Sequence, residues 1–210
     1  ETSSCNFHGS QYTLGIIQEF AHYHKAYIAA CRELGISYRV LDISGSNWLD
    51  VIKNANCDAF LVWPSSYLTI WKEMFDDRLR IMESELGLLI YPSYQEIWLY
   101  ENKRRVRDWL NVHELPHPQT WVFYNEDEAI EFLKTTKFPI VLKTNIGSSA
   151  SGVWIIRKYS DAVRQVRIAF HRGIIAKGRD HRDRQWGVVY FQEFFPNVKE
   201  YRMIRINDSY

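Results

Sequence analysis

Ile140-Val141-Leu142-Lys143-Thr144-Asn145-Ile146-Gly147-Ser148-Ser149-Ala150-Ser151-Gly152-Val153-Trp154-Ile155-Ile156 reads as a strand, a small-residue loop and a second strand. The loop carries little side-chain bulk. Its backbone amides can approach an anion closely, and its serine hydroxyls add donors. Lys143 ends the strand that feeds the loop, and an ammonium group there is what a di- or triphosphate needs. The loop has no Gly-Lys-Ser/Thr and does not open a helix. It also lacks the glycine spacing of a dinucleotide-binding turn. Taken alone, an ordinary flexible hairpin is an equal reading.

Moving outward from the loop, Asp161 to Phe170 reads as a helix, and Gly187 to Phe191 and Tyr201 to Ile206 as strands. Between them, His171 to Gln185 holds five Lys/Arg against two Asp and reads as a long polar connector. Upstream, Asn102 to Val112 is a basic helix ended by Pro116 and Pro118. The run Lys103-Arg104-Arg105-Val106-Arg107 also fits a solvated helix face. Gln119 to Phe123 is a strand, and Asn125 is placed to cap a helix over Glu126 to Lys134.

Residues 1 to about 95 alternate helix and strand. Residues 12–34 read as one helix, through Ile16, Ile17, Phe20, Tyr23, Tyr27 and Ala30, with Gly35 as its stop. Ser37 to Ile43, Asp58 to Trp63 and Leu88 to Tyr91 read as strands. Trp48 to Asn54 and Lys72 to Leu86 read as helices. The alternation predicts an α/β unit with a mostly parallel sheet covered by helices. His8-Gly9-Ser10-Gln11 and Ser65-Ser66 fall where a substrate cleft could form at the carboxyl ends of strands. His22 and His24, two apart on a helix, point to different sides and make a poor metal pair.

The order of features over about 100–210 resembles the ATP-grasp superfamily. Asn102-Lys103 opens a helix that closes at Leu115-Pro116-His117-Pro118-Gln119-Thr120, with Glu114 where the family has Gly. Glu128-Ala129 and Phe132-Leu133 follow, then Phe138-Pro139-Ile140-Val141-Leu142-Lys143, the Gly/Ser loop and Gly152-Val153. Val188-Val189-Tyr190-Phe191-Gln192-Glu193-Phe194-Phe195 is similar to the family's adenine-contacting hinge. Glu200 stands seven residues beyond Glu193, in Lys199-Glu200-Tyr201-Arg202.

The resemblance implies an α/β domain at 1–97, an ATP-grasp small lobe of α+β kind with its phosphate loop at 98–186, and the start of the large lobe at 187–210. It implies that Lys103 and Lys143 neutralise ATP phosphates. Gly147, Ser148, Ser149 and Gly152 would belong to a lid over the β- and γ-phosphates. The carbonyl of Glu193 and the amide of Phe195 would read the adenine edge, with Gln192 beside the base and Glu200 on the ribose. For Arg202, contact with a phosphate or an acyl phosphate and an ordinary surface ion pair are equal readings. The implied activity is that of an ATP-dependent ligase, which activates a carboxylate as an acyl phosphate for attack by an amine to form a C–N bond. A small-molecule kinase and a non-catalytic nucleotide-binding module are the alternatives. Mg²⁺ is implied as well. The family's Glu-x-Asn pair is not found up to Tyr210, so metal ligands are expected beyond it and the chain is expected to be an amino-terminal fragment, with a truncated relative that has lost catalysis as the alternative. No catalytic residue is assigned.

Composition is consistent with this reading. The 210 residues are 46% hydrophobic and 24% charged, and the formal net charge of +1 gives no global reason to bind nucleic acid or an anionic membrane. No apolar run approaches the ~20 residues of a membrane span. Cys5, Cys31 and Cys57 stand far apart and in odd number, which points to a reducing, cytoplasmic setting. The first residue is Glu rather than Met, so a trimmed amino terminus is expected, with no signal peptide in the sequence that remains.

Overall fold

Four short parallel strands make the first sheet: β1 (Thr13–Ile17), β2 (Ser37–Leu41), β3 (Ala59–Leu61) and β4 (Ile90–Tyr91), in the order β2-β1-β3-β4. The computed structural model describes residues 4–147, 150–201 and 203–204. Adjacent residues of β1 face opposite sides of the sheet. Ile16 joins Ile28, Cys31 and Tyr38 under helix α1 (His24–Leu34). Ile17 joins Phe60, Phe75, Leu79 and Met82 under α2 (Trp48–Lys53) and α3 (Thr69–Arg80). A single π turn, Ile81–Glu85, extends α3, and α4 (Tyr94–Leu99) follows β4. Both faces are covered, as a parallel sheet requires.

The expected helix over residues 12–34 is corrected. Its first part is β1, the second strand in the sheet order, and only His24–Leu34 is helical. The β-branched pair Ile16-Ile17 and the small Gly15 suit a buried central strand. This correction moves the substrate expectation for His8–Gln11. Ser10 Oγ accepts from the amide of Ser37, the first residue of β2, at 2.9 Å. The segment therefore lies at the amino ends of the strands, away from their carboxyl ends.

The second sheet is antiparallel: β5 (Thr120–Phe123), β6 (Ile140–Lys143), β7 (Val153–Ile156) and β8 (Val189–Glu193), in the order β5-β8-β6-β7. Helices α6 (Glu126–Thr135) and α7 (Tyr159–His171) bury Ala129, Leu133, Ala162 and Val166 against Phe123, Leu142 and Phe191 on one face. Asn125 caps α6 by accepting from the Glu128 amide at 3.0 Å, as its position predicts. Helix α5 (Lys103–Val112) starts at Asn102, whose side chain accepts from the Arg105 amide at 3.2 Å. Of the expected strand at 201–206, Tyr201, Met203 and Ile204 carry no strand pairing, and the other residues lie outside those described.

Candidate functional site

Alternation along two neighbouring strands builds the site. Leu142 and Phe191 enter the core beneath α6 and α7, so Lys143 and Gln192 take the other face. Val141 pairs with Gln192 and Lys143 with Tyr190 in the β6–β8 register. Across that face, α5 contributes Lys103, Val106 and Arg107. Together with Gly147, Lys143 and Gln192 these line a cavity of about 370 Å³.

The cavity lining carries three cations, Lys103, Arg107 and Lys143, against one carboxylate, Glu101. Lys103 Nζ donates to the carbonyl of Gly147 at 2.7 Å, and Lys143 Nζ donates to Gln192 Oε1 at 2.6 Å. Gln192 Nε2 in turn donates to Thr120 Oγ1 at 3.0 Å, which fixes the amide orientation. Both lysine partners are neutral acceptors, and neither lysine forms an ion pair among the described residues. Burial holds the Lys103 ammonium below the ordinary lysine range. Glu101 opposes that shift, and the charges of Lys143 and Arg179 add to it. Burial also lowers Lys143, against the opposing charge of Glu200.

The glycine loop closes one end. Gly147 has φ +136°, where a side chain is strained, and its carbonyl accepts from Lys103. The Thr144 amide donates to the Gly152 carbonyl at 2.8 Å, holding the base of the loop. A Cβ at Gly152 would lie 1.8 Å from Thr144 Oγ1 and 3.0 Å from its Cβ. Thr144 is buried and rotation leaves the second contact in place. Gly152→Ala should therefore destabilise the chain by about 1–3 kcal/mol in urea melts, the usual cost of overpacking. Thr144→Ala in the same background should recover part of the loss.

The structure thus brings Lys103, Lys143, Gly147 and Gln192 to one cavity, with Gly152 at the base of the loop. Glu193 points to the opposite side of β8. Its carboxylate accepts from the Gln119 amide at 2.6 Å, and it lines a separate cavity with Trp121, Phe138 and Phe194. Phe195 is exposed. Glu200 is exposed and meets the site only through its field on Lys143. Ser148, Ser149 and Arg202 lie outside the described residues. Sequence reasoning missed Arg107 and His117, which also line the cavity. The basic run at 103–107 is not a solvated face. Arg104 donates to Tyr124 Oη at 2.9 Å, Arg105 pairs with Asp76, and Arg107 donates to the Thr120 carbonyl at 3.3 Å. His24 is buried, and its Nδ1 accepts from the Glu19 amide at 3.1 Å.

No protein-family model matches the sequence, and no curated protein matches it significantly. Solved structures do match. An ATP-grasp RimK-domain protein from Sphaerobacter thermophilus aligns over 88% of this chain and 64% of its own, at 14% identity and a TM-score of 0.53. The fold is that of part of an ATP-grasp protein. An N5-carboxyaminoimidazole synthetase from Staphylococcus aureus, complexed with ADP, covers 93% of this chain at 13% identity and a TM-score of 0.60. A D-alanine–D-alanine ligase from Bacillus anthracis covers 88% at 16% identity and a TM-score of 0.51. The chain spans 50% and 58% of those two proteins, so what it shares with them is part of the ATP-grasp architecture. Among the described residues, no group of three or more His, Cys, Asp or Glu is placed to hold a metal ion. No helix there is long and apolar enough to cross a membrane.

Proposed function

We propose that this chain is the nucleotide-binding portion of an ATP-dependent ligase that activates a carboxylate as an acyl phosphate for attack by an amine. One observation carries the reading: two half-buried ammonium groups and a glycine loop converge on one cavity without a carboxylate paired to either cation. Holding such charge out of water is unfavourable unless an anion joins it. A polyphosphate supplies that anion, and backbone amides near Gly147 and Gly152 add donors to it. Structures sharing the fold are named as a synthetase and a ligase, and one is complexed with ADP, which supports the same reading.

In this reading the roles toward ATP divide as follows. Lys103 and Lys143 hold phosphate oxygens, and Gln192 stands beside the base. The end of β8, through the Glu193 carbonyl and the Phe195 amide, reads the adenine edge, and Glu200 reaches the ribose. ATP would supply the phosphoryl group. The lysines would offset charge developing on it, and the loop over 147–152 would exclude water from the acyl phosphate. For Mg²⁺, the described residues offer no ligand set. In this reading the domain bounds are 1–97, 98–186 and 187–210, and the acid and amine are small molecules.

The test is the pH dependence of ATP binding by calorimetry. ATP favours the protonated lysines. As pH rises through their lowered pKa values the site loses charge and affinity falls. The fall should begin below the ordinary lysine value of about 10.4, where exposed lysines would still be charged. Affinity that stays flat to about pH 10, or no ATP binding at all, would remove both lysines from the phosphates.

A further inference from the structure

The polar connector between α7 and β8 folds back on itself. Ile174 and Gln185 pair across it, with the Ile174 amide donating to the Gln185 carbonyl at 2.9 Å and the reverse bond at 2.8 Å. The Lys177 amide donates to the Ser151 carbonyl at 2.8 Å, which ties the connector to the glycine loop. Arg179 follows. Its Nη1 donates to the carbonyls of Ser66 and Tyr67, at 2.9 and 2.7 Å, in the segment after β3. Its guanidinium lies over the Tyr67 ring, 5.1 Å from the centroid. The fork is thus anchored through one nitrogen.

The other terminal nitrogen faces the loop. Any side chain at Gly147 would place its first carbon 3.3 Å from Arg179 Nη2. Nη2 makes no hydrogen bond and Arg179 forms no ion pair among the described residues. Lys143 is bonded to Gln192 near the end of β8, and Lys103 to the Gly147 carbonyl. Arg179 faces Gly147 and lines a neighbouring cavity with Asn102, Thr144 and Ile146, so it meets the glycine-loop end of the site and not the Gln192 end.

We infer that Arg179 is a phosphate-binding residue for the terminal phosphoryl group of a nucleoside triphosphate, reached through Nη2 beside Gly147. The assignment rests on the nucleotide reading above and adds to it which end of the polyphosphate the connector meets. Arginine suits the position because its planar fork can hold a scaffold carbonyl with one nitrogen and an anion with the other, which a lysine ammonium does less well. Anchoring to Ser66 and Tyr67 keeps Nη2 in place before the anion arrives.

Calorimetric titration of the whole chain with ATP, ADP and AMP tests this. Arg179→Ala should weaken ATP about tenfold or more, the size of one lost charged contact, and leave AMP within about twofold. Arg179→Lys should recover only part of the ATP loss. An ATP loss that AMP matches would mean a general structural role and would overturn the assignment, as would an unchanged ATP affinity. If Arg179→Ala does not fold, Arg179→Lys carries the test on the same ATP-against-AMP comparison. A wild-type chain that binds ATP no tighter than AMP, or binds neither, overturns the nucleotide reading and this assignment with it. A wild-type chain that prefers ATP while Arg179→Ala fails the comparison overturns the assignment alone.

Discussion

Asp76→Ala should cost the free chain about 3–5 kcal/mol, a large part of the 5–15 kcal/mol that holds an ordinary domain together. Lys72, one turn earlier on α3, is 1% exposed and its Nζ is paired with Asp76. Its other bond goes to the Ile97 carbonyl at 2.8 Å. Arg105 reaches the second Asp76 oxygen from α5. It also donates to the Trp98 carbonyl at 2.9 Å and lies 4.8 Å from the Trp98 ring centroid. Removing the carboxylate leaves one ammonium in the core and a guanidinium half-buried, with no counter-ion for either. Lys72→Met combined with Asp76→Leu should restore most of the stability, because an apolar pair of similar volume avoids the desolvation. Urea melts followed by tryptophan fluorescence measure both. A loss below about 1 kcal/mol for Asp76→Ala, the size seen for exposed pairs, would show that water reaches the triad.

That triad explains a limit of reading the sequence. Lys72 and Asp76 have the i,i+4 spacing of a solvated pair, and only the return of α5 over α3 buries them. Strand β1 failed for a related reason. Ile16 and Ile17 happen to continue the three- and four-residue spacing of the following helix, which disguised a strand as its first turn. Gly15 was the signal against a helix, since glycine weakens one. Its tertiary reason is the Phe60 ring, 2.5 Å from where a Cβ would sit. Helix α4 was missed although Ser93 and Glu96 spell a capping box, which the structure contains.

What was legible was local: the hairpin of β6 and β7, the Asn125 cap, and Lys143 at the end of the strand feeding the loop; that Lys143 and Gln192 share a face came only with the register of β6 and β8. Lys103 joined them through the order of elements, because its helix follows a segment that pairs Asn102 with Ile146. Arg179, Arg107 and His117 had no periodic pattern to mark them. Their positions depend on a connector and a helix folding back across the sheet.

The second large effect concerns the two lysines together. Each ammonium in contact with a phosphate is worth about 1.5–3 kcal/mol, so Lys103→Met and Lys143→Met should each weaken ATP by roughly 10- to 100-fold. The double variant should lose more than the sum of the two. In the free chain the charge of Lys143 lowers Lys103. Removing Lys143 lets Lys103 hold its proton more firmly, so the Lys143→Met variant alone understates the loss. The free chain should respond differently. Lys143→Met removes a half-buried cation and one bond to a neutral amide, terms of opposite sign, and should shift stability by less than about 1 kcal/mol. ATP affinity measured across the full double-mutant cycle decides the matter. Double-variant binding within about tenfold of wild type would mean that the cations serve the fold and that no polyphosphate lies between them.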